Sequence, residues 1–266
     1  TVYTDPKNNE AVCSARIRTA LPREMLGKLS VLAKLSIGGE TVWSRKMPAD
    51  MFTLSPRDIE IKNAKLWWPR GYGESPLYVF EASLLSPDGK LLDSKRINVG
   101  LRTVNLKRSD VFKNGDKGEF AFYVNGRKIY IKGTNWVPLD ALHSRDPQHL
   151  QKTLEMAADL NCNMLRCWGG NVYESDAFYD FCDKNGILIW QDFSLACTTP
   201  PQDDDFAKAM EIEARSVVER LRHHPSLALW AGNNENDSSF YWLFNSNRLN
   251  IDPSKERISR KVLPEV

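Results

Sequence analysis

The sequence has no CxxC pair, no Cys/His set with zinc spacing, no apolar run approaching the ~20 residues that span a bilayer, and no basic tail. Each absence removes a class of protein. The five cysteines (Cys13, Cys162, Cys167, Cys182, Cys197) are an odd number, and four lie among apolar neighbours. They read as buried reduced thiols rather than a disulfide or metal framework. A formal net charge of +2 gives no electrostatic reason to bind nucleic acid or an anionic membrane. Neither GxGxxG nor GxxxxGK[ST] occurs, which takes weight from nucleotide binding. The chain starts at Thr1 rather than Met, so the lack of a leader segment says nothing about compartment.

What is present is the composition of a globular protein: 266 residues, 42% hydrophobic and 26% charged. That length holds one large domain or two ordinary ones. Eight tryptophans, several beside Gly, Asn or Pro, suit sugar platforms and ordinary cores alike.

Two halves differ in hydrophobic period. From residue 10 to 106, the stretches VCSARIRTA, KLSVLAKLSI, TVWSRKM, PLYVFEASLLS and KLLDSKRINVGLRTVNL mostly alternate apolar and polar residues. Turn signals at 38–39 and 86–89 separate them, and the spacing predicts an immunoglobulin-like β-sandwich over 1–106. LWWPRGYG, 66–73, reads as a structural corner. From about 118 the pattern changes. FAFYVNGRKIYIKGTNW predicts a hairpin turning at Asn125-Gly126, with a second arm ending at Asn135-Trp136. Asp146, as an N-cap before Pro147, opens a helix running to about Leu160. NMLRCW, ILIWQD and SLALWAG are short apolar strands, separated by helices over 174–186 and 204–224. Alternating strands and helices predict a parallel sheet covered on both faces. An open doubly wound sheet and a (β/α)₈ barrel both fit.

In a barrel the chemistry sits at the C-terminal strand ends. Here those ends carry Asn135-Trp136, Arg166 to Asn171, Gln191-Asp192 and Asn233-Asn234-Glu235. Hydrolysis of a glycosidic bond needs one carboxylic acid to protonate the leaving oxygen and a second carboxylate to attack or to activate water. Glu235, at the end of an apolar strand, is the candidate proton donor, with partial desolvation expected to raise its pKa. Asn234 can bond a sugar 2-hydroxyl, Arg166 offers five donors, Asp192 can accept from hydroxyls, and Trp168 and Trp136 offer aromatic faces. Each also has a plain structural alternative: loop carboxylate, ion-pair partner, cap or core. His223-His224, before Pro225, suit a helix C-terminus better than a metal site. Asp203-Asp204-Asp205 suit a solvated helix start.

With those residues in view, LRCWGGNVYESDAFYDFCDKNGILIWQDFSLAC (165–197) and HHPSLALWAGNNEN (223–236) resemble the β-mannosidase branch of glycoside hydrolase family 2. KGTNWVPLD (132–140) and LWWPRGYGESPLY (66–78) resemble the same family. The resemblance covers about residues 60–240. It implies an immunoglobulin-like domain followed by the first four β/α units of a TIM barrel, with 107–266 as the N-terminal half of the catalytic domain. It implies Glu235 as acid/base, with Asn234, Arg166, Trp168 and Asp192 lining the sugar subsite. Where the family often has a third glycine after WGG, this chain has Asn171, which changes a loop beside the subsite.

Family members are retaining enzymes with a nucleophilic Glu on the seventh barrel strand. After Glu235 the acidic residues are Asp237, Asp252, Glu256 and Glu265, and none ends an apolar strand. The expectation is therefore a piece of a retaining exo-β-mannosidase, inactive alone, whose barrel is completed by the remainder of the parent chain. The expected substrate is a β-linked mannoside, with no metal or organic cofactor and no nucleic-acid or membrane partner. The resemblance fits a periplasmic, secreted or lysosomal setting without choosing among them. Rival readings are a β-glucosaminidase, β-galactosidase or β-glucuronidase of the same family, or a noncatalytic carbohydrate-binding protein.

Overall fold

Inward-facing residues alternate along Ser30–Ile37, where Val31, Ala33 and Leu35 are buried and their neighbours half-buried. That period of two makes this segment a strand with one face on a core. The computed structural model describes residues 2–52, 57–109, 118–242 and 253–266, in two compact units that divide between Tyr130 and Ile131. Asp252 lies outside the described residues.

The first unit contains β1 (Val2–Asp5), β2 (Glu10–Cys13), a short α1 (Arg23–Leu26), β3 (Ser30–Ile37), β4 (Glu40–Pro48), β5 (Ile59–Ile61), β6 (Tyr78–Leu85), β7 (Leu91–Val99), β8 (Val104–Arg108), β9 (Phe120–Val124) and β10 (Arg127–Ile129). Two antiparallel sheets, β1-β2-β5 and β4-β3-β6-β7, make the sandwich. One core joins them: Ala11, Cys13, Ile59 and Ile61 from the first, Ala33, Leu35, Tyr78 and Phe80 from the second. Burying each large apolar side chain there stabilises the unit by roughly 1.5–3 kcal/mol. Tyr78, at the start of β6, accepts a hydrogen bond on its hydroxyl from the Lys65 N–H at 2.8 Å, which fixes the corner between β5 and β6.

The corner expected at 66–73 is present within this unit. Trp67 is fully buried and Trp68 lies against Gly73, where a Cβ would come within 2.9 Å of the indole ring. The third sheet, β10-β9-β8, includes the hairpin at Asn125-Gly126, both with positive φ as the tight turn demands. Asn125 is buried and ties this turn inward: its Oδ1 accepts from the Thr103 N–H and the Thr4 hydroxyl, and its Nδ2 donates to the Trp67 carbonyl. The expected division at 106/107 falls inside β8, whose ladder continues into β9.

Some expectations fail locally. The strand expected through residue 20 stops at Cys13, and the chain reaches α1 without further regular strand. The second hairpin arm does not continue to Trp136. It breaks after Ile129, and Gly133 starts a strand of another sheet.

The second unit contains β11 (Gly133–Trp136), α2 (Asp146–Asp159), β12 (Met164–Cys167), α3 (Asp176–Asn185), β13 (Leu188–Asp192), α4 (Asp204–Leu221), β14 (Leu227–Ala231) and α5 (Asn236–Trp242). The four strands are parallel and lie in chain order, β11-β12-β13-β14. A doubly wound sheet reverses its strand order partway, so the unbroken order favours the barrel arrangement. Gly133 is required in β11: a Cβ there would run into the Met164 backbone carbonyl of β12. Asp203 caps α4 by accepting from the Phe206 N–H at 2.8 Å. Gly186, in the left-handed conformation, ends α3. Asp146 is not the N-cap of α2. A 3₁₀ turn over His143–Arg145 precedes it, and its carboxylate accepts from the Asp140 N–H and meets His143 Nδ1.

The segment after Pro253 packs on α4, burying Ile258 and Leu263. Glu256 is buried at its start and accepts from the Ile258 and Ser259 N–H groups, while Asp237 pairs with Arg260 and Glu265 is exposed. No helix among the described residues is long and apolar enough to cross a membrane.

Candidate active site

Paired residues of parallel strands share a face of the sheet. The register pairs Asn135 with Arg166 and Arg166 with Trp190. Asp192, two residues beyond Trp190, points the same way. The opposite, helix-covered face receives Trp136, Cys167 and Gln191, all nearly or fully buried.

Arg166 is the centre of the open face. Its Nη2 donates to Asp192 Oδ2 and to Asn234 Oδ1, both at 2.7 Å. Its Nε reaches Asp192 Oδ1 and its Nη1 reaches Asn135 Oδ1, both at 3.4 Å. The guanidinium also lies 5.6 Å from the centre of the Trp190 ring, within cation–π range. Asp192 is 1% exposed and accepts further from Trp190 Nε1 at 2.9 Å and the Gly169 N–H at 3.1 Å. Burial pushes its carboxyl up, and Arg166 and the other donors pull it back. Its oxygens thus face protein donors rather than open space. One network joins residues of all four strand ends.

Asn234 is buried, with Oδ1 on Arg166 and Nδ2 donating to Cys197 Sγ at 3.4 Å. An amide NH₂ has a second donor. Glu235 follows with φ +56, its carbonyl accepting from the Ser239 N–H in the first turn of α5. Its carboxylate is exposed, so the desolvation expected from the sequence is not found, and Oε2 lies 3.6 Å from Cys197 Sγ.

Trp168 is half-buried. A Cβ on Gly170 would strike its six-membered ring, so the ring lies over the glycine and one face is covered. A Cβ on Gly169 would come within 2.6 Å of the Leu195 carbonyl and 2.8 Å of the Phe193 carbonyl. Both glycines of the WGG stretch are therefore packing requirements. Trp136 does not present the open face expected of it. It is 4% exposed, packs on Phe178 with ring centres 5.0 Å apart, and donates its Nε1–H to Glu174 Oε1 at 2.8 Å. Asn171 is buried and donates to the same oxygen at 3.2 Å, so it braces Glu174 from the other side. Burial raises the Glu174 pKa, against those two donors.

Trp190, Glu174 and Cys197 were not singled out by the sequence reading. A period-two count back from Asp192 points to Trp190. Nothing local marks the other two.

Asp180, Asp183 and His224 bring one potential metal ligand each within 4.8 Å of one another. They lie at the N-terminal end of β14, away from the strand ends described above. Asp183 Oδ2 already bonds His224 Nδ1 at 2.6 Å, and its Oδ1 accepts from the Ser226 N–H at 2.9 Å. These bonds explain the acid and the histidine as a brace for the turn into β14.

The family model described as Glycosyl hydrolases family 2 matches residues 2–102, and that for the Glycosyl hydrolases family 2 TIM barrel domain matches 117–254. A beta-mannosidase of Bos taurus is 41% identical over 174 residues, 65% of this chain and 20% of that protein. Beta-mannosidase B of Emericella nidulans is 32% identical over 239 residues, 88% of this chain and 28% of its own. The crystal structure of Beta-D-Mannosidase from Dictyoglomus thermophilum superposes with a TM-score of 0.78 at 36% identity, covering 89% of this chain and 29% of that one. The chain thus spans between about a fifth and under a third of the length of these relatives. The parallel sheet is a portion of a TIM barrel, preceded by the family's sandwich domain.

Proposed function

The chain belongs to family 2 of the glycosyl hydrolases, and from that premise we propose that it forms part of a retaining exo-β-mannosidase. The observation that supports this most directly is the single network joining Asn135, Arg166, Asp192 and Asn234, with Glu235 next in sequence and at its rim. In the proposed reaction Glu235 protonates the leaving oxygen of a terminal β-mannoside. It then removes a proton from the water that opens the glycosyl-enzyme ester. The second N–H of Asn234 has no partner among the described residues and would donate to a sugar hydroxyl, and Arg166, held in place by Asp192, has one Nη1 N–H beyond the bonds given above to place beside it. Trp168, half-buried, supplies the aromatic surface for the C–H side of the ring.

A retaining reaction also needs a second carboxylate about 5 Å from the first. Asp192 does not suit that role, because donors engage both of its oxygens. We assign the nucleophile to a position outside the four strands, and these 266 residues by themselves to no turnover. Exposure of Glu235 is consistent with a site whose remaining wall is supplied elsewhere.

The test is hydrolysis of aryl β-mannosides by the natural polypeptide that carries this sequence, with and without Glu235→Gln. Removing the general acid/base is expected to lower kcat/KM by about 10²- to 10⁴-fold on poor leaving groups. Turnover by the 266-residue polypeptide alone, or an unchanged rate in the Gln variant, overturns the assignment.

A further inference from the structure

We propose that Cys197 is a positioning residue for the Glu235 carboxyl, an inference that rests on the acid/base reading of Glu235. The two side chains meet with Sγ 3.6 Å from Oε2, the thiol donating to the carboxylate. On its other side the sulfur accepts from Asn234 Nδ2 at 3.4 Å. The bonds run from Arg166 through Asn234 and Cys197 to Glu235, so the thiol links the sugar-holding network to the proton-transfer group.

The backbone holds this arrangement. Residues 195–197 run beside residue 234: Asn234 N–H donates to the Leu195 carbonyl and Cys197 N–H to the Asn234 carbonyl, each at 2.8 Å. Cys197 has φ +49 and Glu235 has φ +56. A left-handed backbone is uncommon for either residue type and persists where its surroundings over-determine it. These two residues each follow one member of the bridge between Ala196 and Asn234, and their side chains meet. Of the five thiols, the other four are buried; this one is half-exposed at the site.

The chemistry suits a thiol. An acid/base must occupy both protonation states in one catalytic cycle. A strong donor would favour the ionised carboxylate in one of them. S–H is a weak donor and sulfur a weak acceptor, so Cys197 can face either state and restrict the carboxyl's rotation in both.

The test compares Cys197→Ala, Cys197→Ser and Glu235→Gln in the natural polypeptide. Each is assayed on 2,4-dinitrophenyl β-mannoside, whose leaving group needs no proton, and on 4-methylphenyl β-mannoside, whose leaving group does. Cys197→Ala is expected to lower kcat/KM about three- to tenfold on the methylphenyl substrate, the loss of one weak hydrogen bond, and less than about twofold on the other. Cys197→Ser keeps a donor but a stronger one, which favours the ionised carboxylate, so it is expected to lose about two- to fivefold on the methylphenyl substrate and less than about twofold on the other. Equal losses of Cys197→Ala on both substrates, or none on either, overturn the inference. Should the Ala variant not accumulate as folded protein, a Ser variant with a leaving-group-dependent loss above about tenfold overturns it too. If Glu235→Gln discriminates between the substrates and Cys197→Ala does not, only this inference falls. If Glu235→Gln does not discriminate, or the parent hydrolyses neither substrate, the acid/base reading falls and takes this one with it.

Discussion

Glu174 offers two substitutions that separate the worth of its oxygen from the worth of its charge. Its Oε1 accepts from the buried Trp136 indole at 2.8 Å and from the buried Asn171 amide at 3.2 Å. Glu174→Ala leaves both donors buried without a partner, at about 1–3 kcal/mol each, and adds a small cavity. The expected cost is about 3–5 kcal/mol. Glu174→Gln keeps an acceptor oxygen for both donors and removes a charge that burial disfavours, so it should lie within about 1 kcal/mol of the parent. The sign of the pH dependence follows. Burial raises the folded-state pKa of Glu174 above its ordinary 4.5. The stability it contributes is therefore fully present below 4.5 and lost as pH rises through the folded value. The Gln variant has no such loss, so it gains on the parent across that window. Native-state hydrogen exchange at β11 and β12, measured for parent and variant at each pH, reads the local opening free energy. Glu174→Ala should exchange roughly a hundredfold or more faster at neutral pH. A Gln variant as loose as the Ala variant, or one that loses ground to the parent as pH rises, would refute the reasoning.

Gly133→Ala should prevent the second unit from folding, because its Cβ meets backbone rather than a movable side chain. Soluble yield and far-ultraviolet circular dichroism check this, and a folded Ala variant contradicts it. Glu119 is half-buried and pairs with the exposed Lys107 and Lys128, which lower its pKa to about 2 from an ordinary 4.5. Its contribution is present above 4.5 and lost as pH falls toward about 2, so the parent's Tm should drop more on acidification than that of Glu119→Gln. Added salt should shrink the difference, since both lysines are exposed to solvent.

Legibility in the sequence followed the reach of each signal. Alternating stretches located β3, β4 and β6 to within about two residues of their observed limits, and in β3 and β6 one partly buried face imposes the period of two, whereas the single run read over 90–106 is two strands, β7 and β8, in different sheets. β5 is three residues long, too short to carry a period, and only its pairing with β2 makes it a strand. Apolar runs ending in polar residues located the four parallel strands, and the family resemblance chose the barrel before strand order supported it. At the site, residue type alone gave Trp136 and Trp168 the same role. The sheet's two faces separate them: Trp136 falls on the helix side with Cys167 and Gln191, while Trp168 follows the strand and lies over Gly170. Cys197 was invisible because its relation to Glu235 depends on a contact between residues 38 apart in the chain. Glu174 was hidden in the same way by its bond to Trp136.

Strand order in the parallel sheet has a consequence for biosynthesis. Each strand from β12 onward pairs with the one made just before it. Its partner has therefore already left the ribosome when it emerges, and the sheet can grow by one β/α unit at a time. The sandwich cannot be laid down this way. β5 must return to β2 after β3 and β4 have been made, and β6 must pair with β3 across β4 and β5. Its closure waits on contacts distant in sequence, which form slowly. The half of the chain translated first thus contains pairings that wait on strands made after their neighbours. The half that carries the candidate site is built in the order in which it is read.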